Sequence, residues 1–331
     1  MAAVSTRENG KPGPAHVGFG IGSSNYFNLP FWVAQHTGLF DQYGVCPEPD
    51  VYHSIEEADA GLRSGRFPLA FQATEGVITA VEQGAPLRII GGNLERLPFS
   101  FIGTPDVNSV AGLRGKIIGV SSLAAGTSSL LRGFLEEQAG LRYGTDYDMR
   151  AVGMIPRRWA LLQAGKINAG LQGIPLDIVA VEAGFHVIGD IRSYAGELEF
   201  ASLVVNTDWA AVNRELVHNF MRAMVAAHVW LARNREASAD IAVRETGIER
   251  RHALLSWDAY VEGKIFPADG DVSMPGLRAM IELTAQVRDN RSRTGMSPAS
   301  YVDRSYYLAA KELSLGLTIM SIESDWAGSG G

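Results

Sequence analysis

Cysteine is nearly missing from this sequence: Cys46 is the only one in 331 residues. A single thiol excludes an internal disulfide and any metal site built on cysteine. Beside a strand it reads first as a small buried hydrophobe and only second as a nucleophile. The seven histidines fall into no H-x-x-x-H or H-E-x-x-H spacing, so neither a metal nor another cofactor is expected. Excess basic charge is missing too. Lys and Arg number 29 against 36 Asp and Glu, a net charge of -7 with no long basic run, whereas phosphate-backbone binding needs a clustered basic face. Nucleic acid is therefore not an expected partner, although a local pocket for a small anion stays open. No apolar run is long enough to cross a membrane. Residues 1–15 are polar, rich in Gly and Pro, and lack the apolar stretch of an export signal. They are expected to be disordered, as is the Gly/Ser tail over 326–331. Two locations follow: periplasmic if a leader has been removed, cytoplasmic if the sequence is complete as written.

What is present points to a globular α/β protein. Hydrophobic residues make up 46% and charged residues 20%, enough to build a core. The length exceeds one ordinary core and favours about two domains. Val17–Gly22 reads as a strand, a helix follows from about Pro30 and stops at Gly38, and strands then alternate with helices up to Leu87–Ile90. That alternation predicts βαβ units and mostly parallel sheets. The pattern restarts at Gly115–Val120, with a helix from about Ser129 to Gln138 and strands near Met149, Ala169 and Val187. Ala201–Val205 reads as a return strand. Beyond it, apolar spacing at Leu216, Phe220, Met224, Ala227 and Leu231 predicts a long helix, with more near 250–260, 275–288 and 305–313.

The two halves repeat. Leu62-Arg63-Ser64-Gly65-Arg66 leads through Leu69-Ala70-Phe71 to Gln72. Leu162-Gln163-Ala164-Gly165-Lys166 leads through Ala169-Gly170-Leu171 to Gln172. Each match lies 100 positions on, and Ser23-Ser24 answers Ser121-Ser122 at an offset of 98. A Gly-basic-apolar turn after a helix is common, so one match alone says little; several at nearly one offset argue for duplication. Ligands of open α/β sheets bind beyond the C-terminal strand ends. Two facing sheets would bring Ser23, Ser24, Gln72, Ser121, Ser122 and Gln172 to one cleft.

At these residues the chain resembles the type II periplasmic solute-binding proteins of ABC transporters, in the branch serving sulfonates, taurine, nitrate and thiamine-pyrimidine precursors. The likeness rests on Leu29-Pro30-Phe31-Trp32-Val33-Ala34 through Gly38-Leu39-Phe40, on Gly84-Ala85-Pro86-Leu87, on Leu113-Arg114-Gly115-Lys116-Ile117, on Gly165-Lys166-Ile167-Asn168-Ala169 and on Tyr301-Val302-Asp303. The resemblance implies a two-lobed fold, each lobe a mostly parallel sheet flanked by helices. Lobe one would hold 16–102, lobe two 103–200, and 201–325 would return to lobe one with C-terminal helices packed on it. It also implies a monomer that traps a small anionic or aromatic solute and hands it to an ABC permease.

Each candidate contact has a plainer structural reading. Ser23, Ser24, Asn25 and Tyr26 offer hydrogen bonds and Tyr26 or Phe27 a stacking face, or the loop simply packs on Trp32. Gly126, Thr127 and Ser128 open a helix, whose free N–H groups attract anions; a Ser/Thr cap explains the same residues. Gln72 with Thr74, and Gln172 with Pro175, stand at matched strand ends, where Thr74 alternatively caps a helix. Arg157 and Arg158 suit a carboxylate or sulfonate through a bidentate contact, or form a solvated basic turn beside a core Trp159. His53 reads as a hydrogen-bonding partner or as a general base.

The competing function is a cytoplasmic enzyme on this scaffold, a decarboxylase or desulfinase-like lyase or hydrolase acting on an aromatic acid through His53, Arg157 and Arg158. Desulfinases of this fold place a nucleophilic Cys in the loop after the first strand, where this chain has Tyr26. The cysteine-rich motif of the related pyrimidine synthase is absent as well. Binding without turnover is the preferred expectation, and a soluble sensor or scavenger without a transporter is a third.

Overall fold

The computed structural model describes residues 13–22, 25–123, 125–287 and 297–312. The tail expected to be disordered, and residues 1–12 of the N-terminal segment, lie outside them; Ala15 already belongs to the first strand. The first half runs β1 (Ala15–Gly22), α1 (Leu29–His36), α2 (Leu39–Gln42), β2 (Val45–Tyr52), α3 (Ile55–Ser64), β3 (Leu69–Ala73), α4 (Thr74–Glu82) and β4 (Leu87–Arg96). Next come β5 (Phe99–Gly103), β6 (Ile117–Val120), α5 (Gly126–Ala139), β7 (Asp148–Ala151), α6 (Ile155–Gln163), β8 (Ala169–Gly173), α7 (Leu176–Glu182), β9 (His186–Gly189) and α8 (Ile191–Ala195). β10 (Glu197–Asn206) opens a helical remainder of α9 (Thr207–Val212), α10 (Arg214–Arg233), α11 (Arg235–Thr246), α12 (Arg250–Trp257) and α13 (Met274–Val287).

Two five-stranded sheets form, in the orders β2-β1-β3-β10-β4 and β7-β6-β8-β5-β9. The orders are the same once β1 is matched to β6, β2 to β7 and β3 to β8. In each sheet the antiparallel member comes from the other half of the chain. β5 follows β4 yet pairs with β8 and β9, and β10 follows β9 yet pairs with β3 and β4. The lobes are thus tied by two crossings. The sequence reading kept everything to residue 102 in the first lobe; hydrogen bonding puts Phe99–Gly103 in the second sheet and starts the return strand at Glu197. Such pairing joins residues 66 positions apart (Gly103 and Ala169) or more, which local patterning does not register.

The repeat survives in three dimensions. α3 and α6 begin 100 positions apart, as do β3 and β8. Gly65 and Gly165 end their helices at φ +75° and +63°, the left-handed region that favours glycine.

Glycines in the first strand serve close packing. Val17, Phe19 and Ile21 point into one core, while Gly20 on the other face lets the Phe67 ring approach: a Cβ there would lie 2.6 Å from it. Gly61 of α3 borders the same ring, and its Cβ would meet Phe67 at 2.1 Å. Phe67 is fully buried, so it has nowhere to move. We expect Gly61→Ala to lower stability by roughly 1–3 kcal/mol despite alanine's better helix propensity, because overpacking outweighs it; urea denaturation checks this, and an unchanged or raised midpoint refutes it.

The C-terminal helices brace the first lobe. α10 buries Phe220, Met224, Ala227 and Leu231 and packs against α1. α13 lies against β10 and also touches α5 of the second lobe.

Candidate functional site

The C-terminal ends of β1 and β3 face those of β6 and β8 across a cavity of about 420 Å³ lined from both lobes. That is ample for a small organic molecule. Its walls are largely apolar: Phe27 from the loop after β1, Phe71, Phe99 at the first crossing, Phe200 at the second, and Leu171 and Ile155 from the second lobe. Phe99 meets Phe27 and Phe200 edge to face, at centroid distances of 6.2 and 5.4 Å.

The loop after β1 is held by Asn25, whose side chain accepts from the Phe27 N–H (3.0 Å) and donates to the Gly22 carbonyl (2.9 Å). Asn93 of β4 holds it from below by donating to the Phe27 carbonyl (3.1 Å), while its own Oδ1 has no partner among the described residues. Tyr26 also lines the cavity but is committed to the fold. It is 1% exposed, donates to the Ala253 carbonyl at 2.9 Å and packs on Tyr260. Burial raises its phenol far above the ordinary value, so it stays neutral.

Among the described lining residues, two carry charge: Arg158 and Glu75. Arg158 stands in the first turn of α6 and is 4% exposed. Its stem runs over Gly119 of β6 and Gly170 of β8; a Cβ on Gly170 would lie 2.9 Å from the Arg158 Cδ. Among the described residues no carboxylate pairs with it, and its Nε has no hydrogen-bond partner. Desolvation pushes the guanidinium down to about 10, so it remains a cation at neutral pH. Arg157, one position earlier, is exposed and does not line the cavity. A turn of 100° per residue separates them on the helix, and the sequence alone did not say which faces in.

Glu75, in the first turn of α4, reaches across the cleft. Its Oε2 accepts the Gly126 N–H at the start of α5, at 2.7 Å. The α5 N-terminus predicted as an anion seat therefore already holds a carboxylate of the protein. Of its three candidate residues, Thr127 lines the cavity. Gly126 is engaged by Glu75, and the Ser128 hydroxyl donates to the Ser122 carbonyl at 2.6 Å.

Gln72 and Gln172 end β3 and β8 in matched settings, opposite Ser202 and Ser100 respectively. Both are almost fully buried, and neither amide finds a hydrogen-bond partner among the described residues. Buried polar groups are rarely left so without a reason. Gln72 lines the cavity; Gln172 lies behind the wall.

Of the other predicted residues, Ser121 and Pro175 line the cavity and Ser122 does not. The Thr74 hydroxyl shares a hydrogen bond with Ser202 (2.8 Å) in the interior, beneath the surface it was expected to face. His53 is exposed outside the cavity, with its backbone N–H on Glu57. Neither His53 nor Arg157 is placed for the chemistry considered for them. Cys46 sits in β2 at the outer edge of the first sheet. Ser23 and Ser24 lie outside the described residues. Sequence reasoning missed Phe99, Phe200 and Asn93. Asn93, polar within the apolar run Ile89-Ile90-Gly91-Gly92-Asn93-Leu94, was a readable signal.

A buried carboxylate paired with a partly exposed arginine frames the second-lobe wall. Asp177, next to the lining residues Pro175 and Leu176, accepts from the Ser100 hydroxyl (2.6 Å) and from Arg192 (3.0 Å). Arg192 also donates to the Phe99 carbonyl at 3.0 Å. The network links α7, α8 and the first crossing.

A family model described as NMT1/THI5 like matches residues 27–238. No curated protein matches the chain. Among solved structures, it is similar to a protein from Bordetella bronchiseptica RB50, with TM-score 0.72, 18% identity, and coverage of 91% of this chain and 98% of that one. It is similar to the ligand binding component of an ABC-type import system from Staphylococcus aureus, solved with zinc bound, with TM-score 0.72 and 14% identity over 90% of this chain and 99% of that one. The periplasmic aliphatic sulphonate binding protein SsuA from Escherichia coli gives TM-score 0.68 and 16% identity, over 90% of this chain and all (100%) of that one. At these identities the likeness is one of fold.

Proposed function

The chain belongs to the NMT1/THI5-like family, and from that premise we propose that it is a solute receptor that closes its two lobes on a small organic acid. The acidic group sits at Arg158 and an aromatic or heteroaromatic body lies against Phe27, Phe99 and Phe200, with Gln72 hydrogen-bonding a polar edge. The carrying observation is Arg158, a buried cation that meets no carboxylate among the described residues, in an otherwise mostly apolar cavity. A charge in such a place is costly unless something pairs with it. A bound carboxylate or sulfonate supplies that partner in bidentate geometry.

The ligand leaves unchanged in this reading. Among the described lining residues there is neither Cys nor His, and the Tyr26 hydroxyl is already spent on the Ala253 carbonyl. Release to an ABC-type permease, from a periplasmic monomer, is the matching role.

A thermal-shift screen of sulfonates, aromatic carboxylates and pyrimidines tests this, followed by mass spectrometry of each hit after long incubation. Stabilisation by aromatic acids but not by their neutral amides, with the ligand recovered intact, is the expected result. Equal response to acid and amide would remove Arg158 from the account, and a converted ligand would make the protein an enzyme.

A further inference from the structure

The helix α5 has no cap of its own. Its N-cap position is Ala125, which makes no side-chain hydrogen bond, and Ser128 is turned to the Ser122 carbonyl. Helix starts expose N–H donors and partial positive charge, and an anion there is stabilising. The Glu75 carboxylate fills that role from the opposite lobe. Gly126 makes room for it: a Cβ at that position would lie 2.4 Å from the Glu75 Oε2. Gly126 does not adopt a positive φ, so close approach, not backbone conformation, accounts for the glycine.

The same cavity contains three almost fully buried polar side chains with atoms that find no partner among the described residues, Gln72 and Asn93 on the first-lobe side and Arg158 on the second. The cleft thus has one cation awaiting an anion and one anion seat already taken. We propose that Glu75 is a specificity-determining residue: a built-in anion that occupies the α5 N-terminus, directs a ligand's acidic group to Arg158, and excludes inorganic oxyanions and ligands with a second acidic group at the α5 end. This rests on the reading of the cleft as a ligand site. A second negative charge near α5 would face the Glu75 carboxylate with little water between them, and like charges at short range in a low-dielectric cleft repel strongly. A neutral or apolar far end meets no such penalty. The bond also crosses from lobe to lobe, so it forms only when the lobes are together, and the protein carries part of its closing interaction in its own sequence.

The test uses inorganic sulfate as the probe, with the full chain and its Glu75→Ala and Glu75→Gln variants, by isothermal titration calorimetry. The wild-type chain is expected to bind sulfate at least about tenfold more weakly than Glu75→Ala, a difference of about 1.4 kcal/mol. Glu75→Gln keeps the side-chain shape but not the charge and should fall between them; it carries the comparison if the alanine variant does not fold. Adding Arg158→Met to Glu75→Ala should leave the gained sulfate binding in place, because the vacated seat is at α5. Equal sulfate affinity in wild type and both variants overturns the proposal, as does loss of the gained binding with Arg158→Met. Aromatic-acid binding by the wild-type chain is scored separately: its failure would overturn the receptor reading, while the sulfate series still decides the role of Glu75.

Discussion

Arg158→Met is expected to move ligand binding and ligand-free stability in opposite directions. Binding of an aromatic acid should weaken by roughly 100-fold or more, since hydrogen bonds to a charged group contribute about 1.5–3 kcal/mol and a bidentate contact supplies two. The ligand-free protein should gain about 1–3 kcal/mol, because a buried charge with no carboxylate partner among the described residues disappears and a methionine fills the same channel. That channel is apolar where the arginine stem passes Gly119 and Gly170, so the thioether meets ordinary contacts. Arg158→Lys keeps the charge but not the planar fork and should recover only part of the binding. Calorimetric titration measures one effect and urea denaturation the other. Weaker binding with lower stability would make Arg158 a structural residue. Unchanged binding would remove it from the site.

The second large effect is expected at Arg192. Asp177 is 5% exposed, and burial raises its carboxyl pKa despite the Ser100 hydroxyl and the Arg192 guanidinium, which oppose the shift. Removing the cation with Arg192→Met leaves the carboxylate with less compensation and should cost about 2–3 kcal/mol at neutral pH; breaking one side of a fully buried pair costs 3–5, and Arg192 is itself partly exposed. The pH dependence follows from the direction of the shift. A carboxyl whose folded-state pKa lies above its unfolded value is best accommodated when protonated, so the variant's deficit is small below about pH 4 and grows as pH rises through the folded-state pKa. Denaturation midpoints of variant and wild type should therefore approach each other in acid and separate toward pH 7. Midpoints that differ equally at every pH would attribute the effect to the lost bonds to the Phe99 carbonyl and the Ser100 hydroxyl. Because Asp177 adjoins Pro175 and Leu176, the variant should also bind its ligand more weakly.

Much of the candidate site was legible in advance, but unevenly. Asn25, Tyr26, Phe27, Gln72, Ser121, Thr127 and Pro175 line the cavity, and strand ends in a repeated βαβ pattern were enough to point to them. His53, Thr74 and Ser128 were equally plausible by residue type and position. The structure commits the Thr74 hydroxyl to Ser202 and the Ser128 hydroxyl to the Ser122 carbonyl, and turns His53 to solvent. A hydroxyl's partner depends on what packs above it, and that neighbour is usually distant in the chain: Ser202 lies 128 residues from Thr74.

By itself the sequence determined most of the alternation of strands and helices, the 100-residue repeat with its two glycine-capped turns, and the exclusion of an internal disulfide. These are local properties, set by side-chain periodicity, by backbone angles open to glycine, and by composition. Only the tertiary structure decided that β5 and β10 exchange sheets, that Arg158 and not Arg157 faces the cavity, and that Glu75 takes the helix end first read as a ligand's seat. Each of those depends on which groups share a space with little water. There burial and charge pairing between distant residues outweigh the local preferences that a sequence displays.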